Sequence, residues 1–325
     1  MCQNAPDFAS QTCPQRLSDN FMMKQPGADN GPSDGLGVLR ISGNDRQDFL
    51  QGQLTQDVDK LTAENPLFAG WTSAKGRLRC LLWVVDWRDA VWLILPKSLL
   101  EPVARQLAMF VLRADVQIGI PEVEVNALNK AGLQSLDSLK VPSDKSGVSH
   151  CIYSDKLLFL GIEQLQQTGL LLTDSSTAAP SVGVLSWQDW RRACVRAGLP
   201  SVWLQSGEMF VPQMLNLDLL DAISFSKGCY VGQEIIARTQ NLGRIKRRMY
   251  GFRTKGQHLP GPGDALYSSG KKAGELVDAV CGEGSTELLA VVPIDKLDEP
   301  LCLDSESTVP LERVTLPYPV PEQLD

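Results

Sequence analysis

The chain reads as an α+β protein, with strands and helices grouped rather than regularly alternated. Three observations carry that expectation. Leu99, Val103, Leu107 and Phe110 recur at three and four residues, which marks one amphipathic helix set among strands. The apolar run Leu81-Leu82-Trp83-Val84-Val85 stops at Asp86, so it reads as a buried strand and falls far short of a membrane span. After Arg248 the texture changes to short strands separated by glycines and prolines, as in a small all-β unit.

Taken in order, residues 1–35 are polar, rich in Asn, Gln, Asp, Gly and Pro, and free of periodicity. They are expected to form a mobile tail, with Met22 or Met23 as an alternative start. Structure is expected to begin with a strand over 36–41 that ends at Ser42-Gly43. Ser42 or Asn44 is expected to cap a short helix bearing Phe49 and Leu50, which Gly52 closes. Strands follow at 67–71, 78–85 and 90–95, joined by the turns Lys75-Gly76-Arg77 and Trp87-Arg88-Asp89. Pro96 opens the amphipathic helix, and 116–118 is the strand after it.

A second segment starts near Pro121, with Val123, Val125 and Leu128 placed as in a strand. Residues 143–149 are an exposed loop, 157–162 and 170–173 are strands, and 174–180 is a connector. Trp187, Trp190, Cys194 and Ala197 share one face of a helix that ends at Gly198-Leu199-Pro200. The last strands fall at 250–252, 265–267, 274–277 and 288–292. There is no internal repeat.

At 325 residues the chain has material for two or three domains, and 43% hydrophobic with 21% charged residues is ordinary for a globular protein. A net charge of −7 argues against a dedicated nucleic-acid binder, so no direct nucleic-acid contact is expected. The first residues lack a basic region followed by an apolar one, which points to the cytoplasm and away from secretion or a membrane. Eight cysteines are scattered with no CxxC pair, and only His150 and His258 accompany them. A protein-built zinc site or a local iron–sulfur framework is therefore not expected, and the thiols read as free in a reducing compartment. A monomer is the default.

Residues 223–238 read Ile-Ser-Phe-Ser-Lys-Gly-Cys-Tyr-Val-Gly-Gln-Glu-Ile-Ile-Ala-Arg and are the most informative segment. Gly228 is expected to turn with positive φ. Gly232 either admits close backbone approach or begins a helix carrying Glu234, Ile235, Ile236 and Arg238. Cys229 would then lie near a helix N-terminus and near Lys227, both of which favour thiolate. The alternative is a small buried cysteine in a tight turn.

This segment follows Phe210-Val211-Pro212-Gln213-Met214-Leu215-Asn216-Leu217-Asp218, and together they resemble the YgfZ-type folate-binding proteins, relatives of the T-protein aminomethyltransferase of glycine cleavage. The family pattern Lys-Gly-Cys-Tyr-x-Gly-Gln-Glu is matched by Lys227, Gly228, Cys229, Tyr230, Gly232, Gln233 and Glu234. Residues 49–58, Phe-Leu-Gln-Gly-Gln-Leu-Thr-Gln-Asp-Val, are similar to its early Gln-Gly-Gln-x-Thr-x-Asp-Val signature. Ala74-Lys75-Gly76-Arg77 falls at its Lys-Gly hairpin. In order, the three matches span 36 to about 245.

The resemblance implies two interlocked α+β domains of the aminomethyltransferase folate-binding type. The first covers 36–118 and is completed by 185–245, and the second covers 119–184. A small C-terminal β-barrel over 246–325 joins them around a central opening. It further implies that tetrahydrofolate binds at the opening. The role implied is assembly or repair of iron–sulfur clusters in client enzymes, including those that thiolate tRNA. Those enzymes and the cluster-assembly proteins are then the partners.

Trp190 corresponds to a folate-contacting tryptophan of the family, while Leu36 stands where the family has a second one on the first strand. Trp190 equally reads as core, stacked near Trp187. Cys229 is the functional thiol, with transient ligation of iron, thiol exchange or reaction with a damaged cluster intermediate as its roles. Lys227 lowers its pKa, binds an anion, or is merely a solvated charge. Tyr230 lines the cleft or packs. Gln233 and Glu234 meet the ligand or cap the helix. Arg238 and the cluster Arg244, Lys246, Arg247 and Arg248 meet folate's glutamates or an acidic partner, or are solvated. Thiol and pterin are expected to share one pocket.

Two departures matter. Arg196 stands where T-proteins hold the pteridine edge with a glutamate, and a guanidinium offers only donors. Arg79 and Cys80 stand where T-proteins carry the aspartates of aminomethyl transfer, so that reaction is not expected. Whether the chain is an enzyme stays open. The alternatives are a folate-dependent enzyme handling a one-carbon unit or a redox step, and a scaffold that has lost the ligand.

Overall fold

The computed structural model describes residues 35–136 and 149–322, apart from 167, 175, 176, 178, 179, 242, 243 and 283. The expected tail up to residue 34, most of the expected loop at 143–149 and much of 174–180 lie outside the described residues. The described chain is mixed α+β, with three antiparallel sheets.

The first sheet has the order β2-β3-β4-β1-β5. Its strands are β1 (Leu36–Ser42), β2 (Leu67–Thr72), β3 (Leu78–Trp87), β4 (Ala90–Pro96) and β5 (Gln117–Gly119). β3 and β4 are apolar at nearly every position because both faces of the sheet are covered. On one face Cys80, Leu82 and Val84 join Phe49 and Leu50 of α1 (Arg46–Gln51) and Val103 and Leu107 of α2 (Leu100–Val111). On the other, Leu81, Trp83, Val85 and Trp87 join a larger core that runs through the rest of the molecule.

The second sheet, β6-β9-β8-β7, contributes Val125, Leu158, Leu160, Leu170 and Leu172 to that larger core. Its strands are β6 (Val123–Leu128), β7 (His150–Tyr153), β8 (Leu157–Gly161) and β9 (Gly169–Asp174), with α3 (Lys130–Gln134) behind β6. The helix α4 (Trp187–Ala197) supplies Trp190 and Cys194 to the same core. Ser186 caps it, accepting from the Asp189 N–H at 3.1 Å, and Gly198 ends it at φ 68°. A further helix, α5 (Gln233–Asn241), buries Ile236.

The third sheet, β11-β12-β13-β10-β14, is formed by β10 (Arg247–Lys255), β11 (Ala265–Ser268), β12 (Lys271–Cys281), β13 (Ser285–Pro293) and β14 (Glu312–Val314). No continuous ladder closes it among the described strands. Isolated bridges Tyr267↔Cys302 and Cys302↔Pro310 lie beyond β11. α4 is fastened to this sheet by Arg191, which donates to Asp278 at 2.5 Å and to the Ala279 carbonyl at 2.9 Å. Arg192 donates to the Cys281 carbonyl at 2.7 Å.

Some expectations for single elements are corrected. Neither Ser42 nor Asn44 caps α1; its N-cap is Asp45, without a side-chain cap bond. Asn44 instead donates through N and Nδ2 to Asp115, at 3.1 and 2.8 Å, and Asp45 accepts from the Asp115 N–H at 2.7 Å. These residues therefore tie the start of α1 to the loop before β5. The apolar face of α2 is narrower than its spacing suggests, since Phe110 is 37% exposed. β7, α3 and β14 were not foreseen.

Candidate functional site

The segment after residue 220 is held against two earlier stretches by hydrogen bonds that cross most of the sequence. Thr55 is the hub: its hydroxyl donates to the Ala222 carbonyl at 2.7 Å and accepts from the Gly70 N–H at 2.8 Å. Its carbonyl accepts from the Ser224 N–H at 2.9 Å. Gln56 donates to the Asp221 carbonyl at 2.5 Å, and the Val231 N–H donates to the Gly52 carbonyl at 3.2 Å. Thr72 donates to the Val231 carbonyl at 2.7 Å. The signature at 49–58, the hairpin at 73–77 and the motif at 227–234 are thus one interlocked frame.

Lys227 is buried in that frame. Its Nζ donates to the carbonyls of Gln51, Leu54 and Gln56 at 2.7, 3.0 and 2.8 Å, which satisfies all three ammonium donors at the C-terminal end of α1. It lies 5.2 Å from the centroid of the Tyr230 ring. Burial pushes the ammonium down to about 8, with Asp57 and then Asp59 opposing. The solvated-charge reading is therefore overturned, and the donors serve the backbone rather than the neighbouring thiol or an anion.

The bend is also made differently than expected. Gly232 holds the positive φ, +86°, and a Cβ there would sit 2.5 Å from the Ser73 carbonyl oxygen. Gly228 is not left-handed, and a Cβ added to it meets nothing within 4 Å. Cys229 follows on the open side and is exposed, which excludes the buried-cysteine reading. Tyr230 is buried, and burial pushes its hydroxyl up to about 12.

Gln233 is half-buried, while Glu234 and Arg238 are exposed. Among the described residues the side chains of Gln233 and Glu234 make no hydrogen bond at the start of α5, so neither caps it. The basic cluster is not uniformly free: Arg248 is buried and forms a two-bond pair with Asp218 at 2.8 Å each, and Arg247 pairs with Glu275.

Arg79 donates to Glu208 at 2.8 Å, with its guanidinium 5.1 Å from the Trp71 ring. Cys80 is fully buried, and burial pushes its thiol up to about 12. Arg196 grips Glu287 of β13 with two bonds of 2.7 and 2.8 Å, so it braces α4 on the third sheet.

Leu36 and Trp190, which enter through the resemblance alone, line one open hollow of about 50 Å³. It lies between the first sheet, α4 and the segment 199–202. Phe68 and Trp83 form an aromatic wall, with centroids 4.7 Å apart and planes 30° apart. They sit directly opposite each other in the β2–β3 register, so the two strands as read from the sequence contain the pair. Ser201 and Val202 were not foreseen, because nothing in an irregular segment signals which cavity it borders. Val202 is 1% exposed, and among the described residues its N–H makes no hydrogen bond.

Cys229, Tyr230, Gln233, Glu234 and Arg238 are not part of this lining, so the expectation that thiol and pterin share a pocket is not met by this hollow. The aromatic wall of the hollow suits the face of a flat ring. Phe68, Trp83 and Trp190 are the residues that would hold it.

Among the described residues no helix is long and apolar enough to cross a membrane, and no group of three or more His, Cys, Asp or Glu is arranged to hold a metal ion. No protein-family model matches the chain. A solved structure of the glycine cleavage system aminomethyltransferase T from Bartonella henselae superposes with a TM-score of 0.62 at 13% identity, covering 88% of this chain and 85% of that one. The fold is therefore of the aminomethyltransferase kind. The tRNA-modifying protein YgfZ of Colwellia psychrerythraea is 29% identical over 298 residues, 87% of this chain and 91% of that protein. The protein of the same name from Escherichia coli O45:K1 is 28% identical over 308 residues, 89% of this chain and 93% of its own length. The chain is thus similar to these YgfZ proteins along nearly its whole length, and the three motifs that carry the resemblance are locked into one frame.

Proposed function

We propose that this protein binds tetrahydrofolate in the hollow beside Trp190 and serves the assembly or repair of iron–sulfur clusters in client enzymes, including those that thiolate tRNA. Cys229 is its functional thiol. The carrying observation is the exposed Cys229 on a loop braced from beneath by the three carbonyl bonds of Lys227. A thiol so presented can meet a sulfur, an iron or a cluster brought by another protein. Any iron it bound would take its remaining ligands from that partner, since no metal-holding group accompanies it among the described residues.

The relatives' name supports a part in tRNA modification, and the lack of any carboxylate, lysine or histidine in the hollow's lining supports an accessory role over one-carbon transfer. When bound, the folate supplies a ring that carries one-carbon units and electrons; the chain's own residues hold it and exclude water from its face. The same reading takes 36–118 with 185–245, 119–184 and a barrel-like 246–325 as three units around an opening. It has the chain working in the cytoplasm as a monomer with cluster-assembly proteins.

The test is a cell in which Cys229→Ala or Cys229→Ser replaces the native chain. Iron–sulfur enzyme activities and tRNA thiolation are expected to fall while the protein level holds. Normal values for both would remove the thiol from the proposed role. Calorimetry with tetrahydrofolate tests the ligand separately, and silence at millimolar concentration would end the folate reading.

A further inference from the structure

We propose that Phe68 and Trp83 are the platform on which the bound ring lies, with the backbone N–H groups of Ser201 and Val202 meeting an acceptor on its edge. This rests on the folate reading of the hollow and assigns the contacts that set its specificity. Leu36, which lines the hollow, brings neither a π-face nor an indole donor. The aromatic surface that remains comes from neighbouring strands of the same sheet. Phe68 is half-buried and tilted over Trp83, with Trp83 itself only 8% exposed.

Trp83 is wedged in the core and Phe68 is only half covered, so the pair offers a firm base and one uncovered ring. Trp190 borders the hollow from α4 and is itself fixed edge-on to Trp187, at 6.5 Å and 83°. A ring lying on Phe68 and Trp83 is bordered by α4 and by the segment 199–202.

The polar side of the ring needs fixed partners. Arg196 is engaged by Glu287 and is not in the lining, and no charged side chain lines the hollow. Ser201 and Val202 line the hollow and their N–H groups make no hydrogen bond among the described residues. For the buried Val202 that is a donor without a partner, a costly state that an acceptor on a ligand relieves. Backbone donors select a ring carbonyl and reject an amino group at the same place.

The experiment titrates the full chain with 5-formyltetrahydrofolate, a stable probe, and with its 4-amino analogue, reading tryptophan fluorescence and heat. Phe68→Leu is expected to weaken 5-formyltetrahydrofolate about tenfold, the scale of one lost ring-stacking contact, with little change in urea midpoint. Trp83→Phe is expected to remove most of the ligand-induced quench, and Leu36→Ala to change affinity less than about threefold. The 4-amino analogue is expected to bind at least about tenfold more weakly. Phe68→Leu within twofold of wild type, or Leu36→Ala as damaging as Phe68→Leu, would overturn the platform. Equal affinity for the two probes would overturn the backbone donors. A wild-type chain that binds neither probe at millimolar concentration would instead overturn the folate reading on which this one stands.

Discussion

Two glycines one turn apart in the motif do different jobs, and the difference is measurable. Gly232 combines a left-handed φ with a Cβ position 2.5 Å from a backbone oxygen, so neither rotation nor a side-chain shift relieves a substitution. Gly232→Ala is expected to cost on the order of 3 kcal/mol, whereas Gly228→Ala, facing open space, should stay within about 0.5 kcal/mol. Urea unfolding of both variants decides it, and the opposite ranking would mean the loop is turned the other way.

Lys227 gives the second residue-scale test. Lys227→Met leaves the carbonyls of Gln51, Leu54 and Gln56 without their donor, a loss of about 3 kcal/mol. Its pH dependence has a definite sign. Burial holds the proton less tightly than the unfolded chain does, so from about pH 8 up to the ordinary value of 10.5 the unfolded state binds more protons. Stability due to Lys227 therefore rises with pH across that window. The gap between wild type and Lys227→Met is expected to widen from pH 8 to pH 10; a narrowing gap would show that the three carbonyl bonds outweigh burial.

At the scale of elements, α4 shows what periodicity reveals and what it hides. Trp190, Cys194 and Ala197 repeat at helical spacing and do face the core. Arg191 sits beside them and is equally buried, yet an arginine reads as surface until its partner is known. That partner, Asp278, is 87 residues away on β12. β14 escaped notice for a related reason: Glu312, Arg313 and Val314 are all exposed, so no alternation marks them. β3 and β4 were legible because both their faces are covered and nearly every residue is apolar.

The two arginines of α4 also give a controlled comparison. Arg191 and Asp278 have side chains 6% and 3% exposed, and burial is the chief influence raising the Asp278 carboxyl. Removing the cation strands a buried carboxylate, so Arg191→Met is expected to cost about 3–5 kcal/mol. Arg196, 64% exposed, makes a geometrically better pair with Glu287 in solvent, and Arg196→Ala should cost no more than about 1 kcal/mol. Equal effects in thermal unfolding would contradict the assignment of α4's fastening to the buried pair.

Across the whole molecule, the frame around Cys229 joins residues as much as 176 positions apart. Local spacing carries no signal over that separation, which is why the site was legible only as a motif and its hydrogen bonds were not. The same frame settles which thiol the protein presents. Cys80, Cys151, Cys194 and Cys302 are buried; burial raises the first to about 12 and moves the second and third upward as well. Cys281 is half-buried, and its Sγ donates to the His258 carbonyl at 2.8 Å. Cys229 alone among the six described cysteines is exposed.

Iodoacetamide on the native chain is therefore expected to alkylate Cys229 first among these six, with the four buried cysteines labelled only in denaturant. Peptide mass spectrometry over a time course reads the order. The hollow's lining omits Cys229, so saturating 5-formyltetrahydrofolate should leave its labelling rate within about twofold while quenching tryptophan fluorescence. Early labelling of Cys194, which does line the hollow, would show that α4 opens in solution. Protection of Cys229 by the folate would show that ring and thiol meet after all. If the rate does not change, Cys229 is free to act on a partner's chemistry while the folate occupies its own hollow.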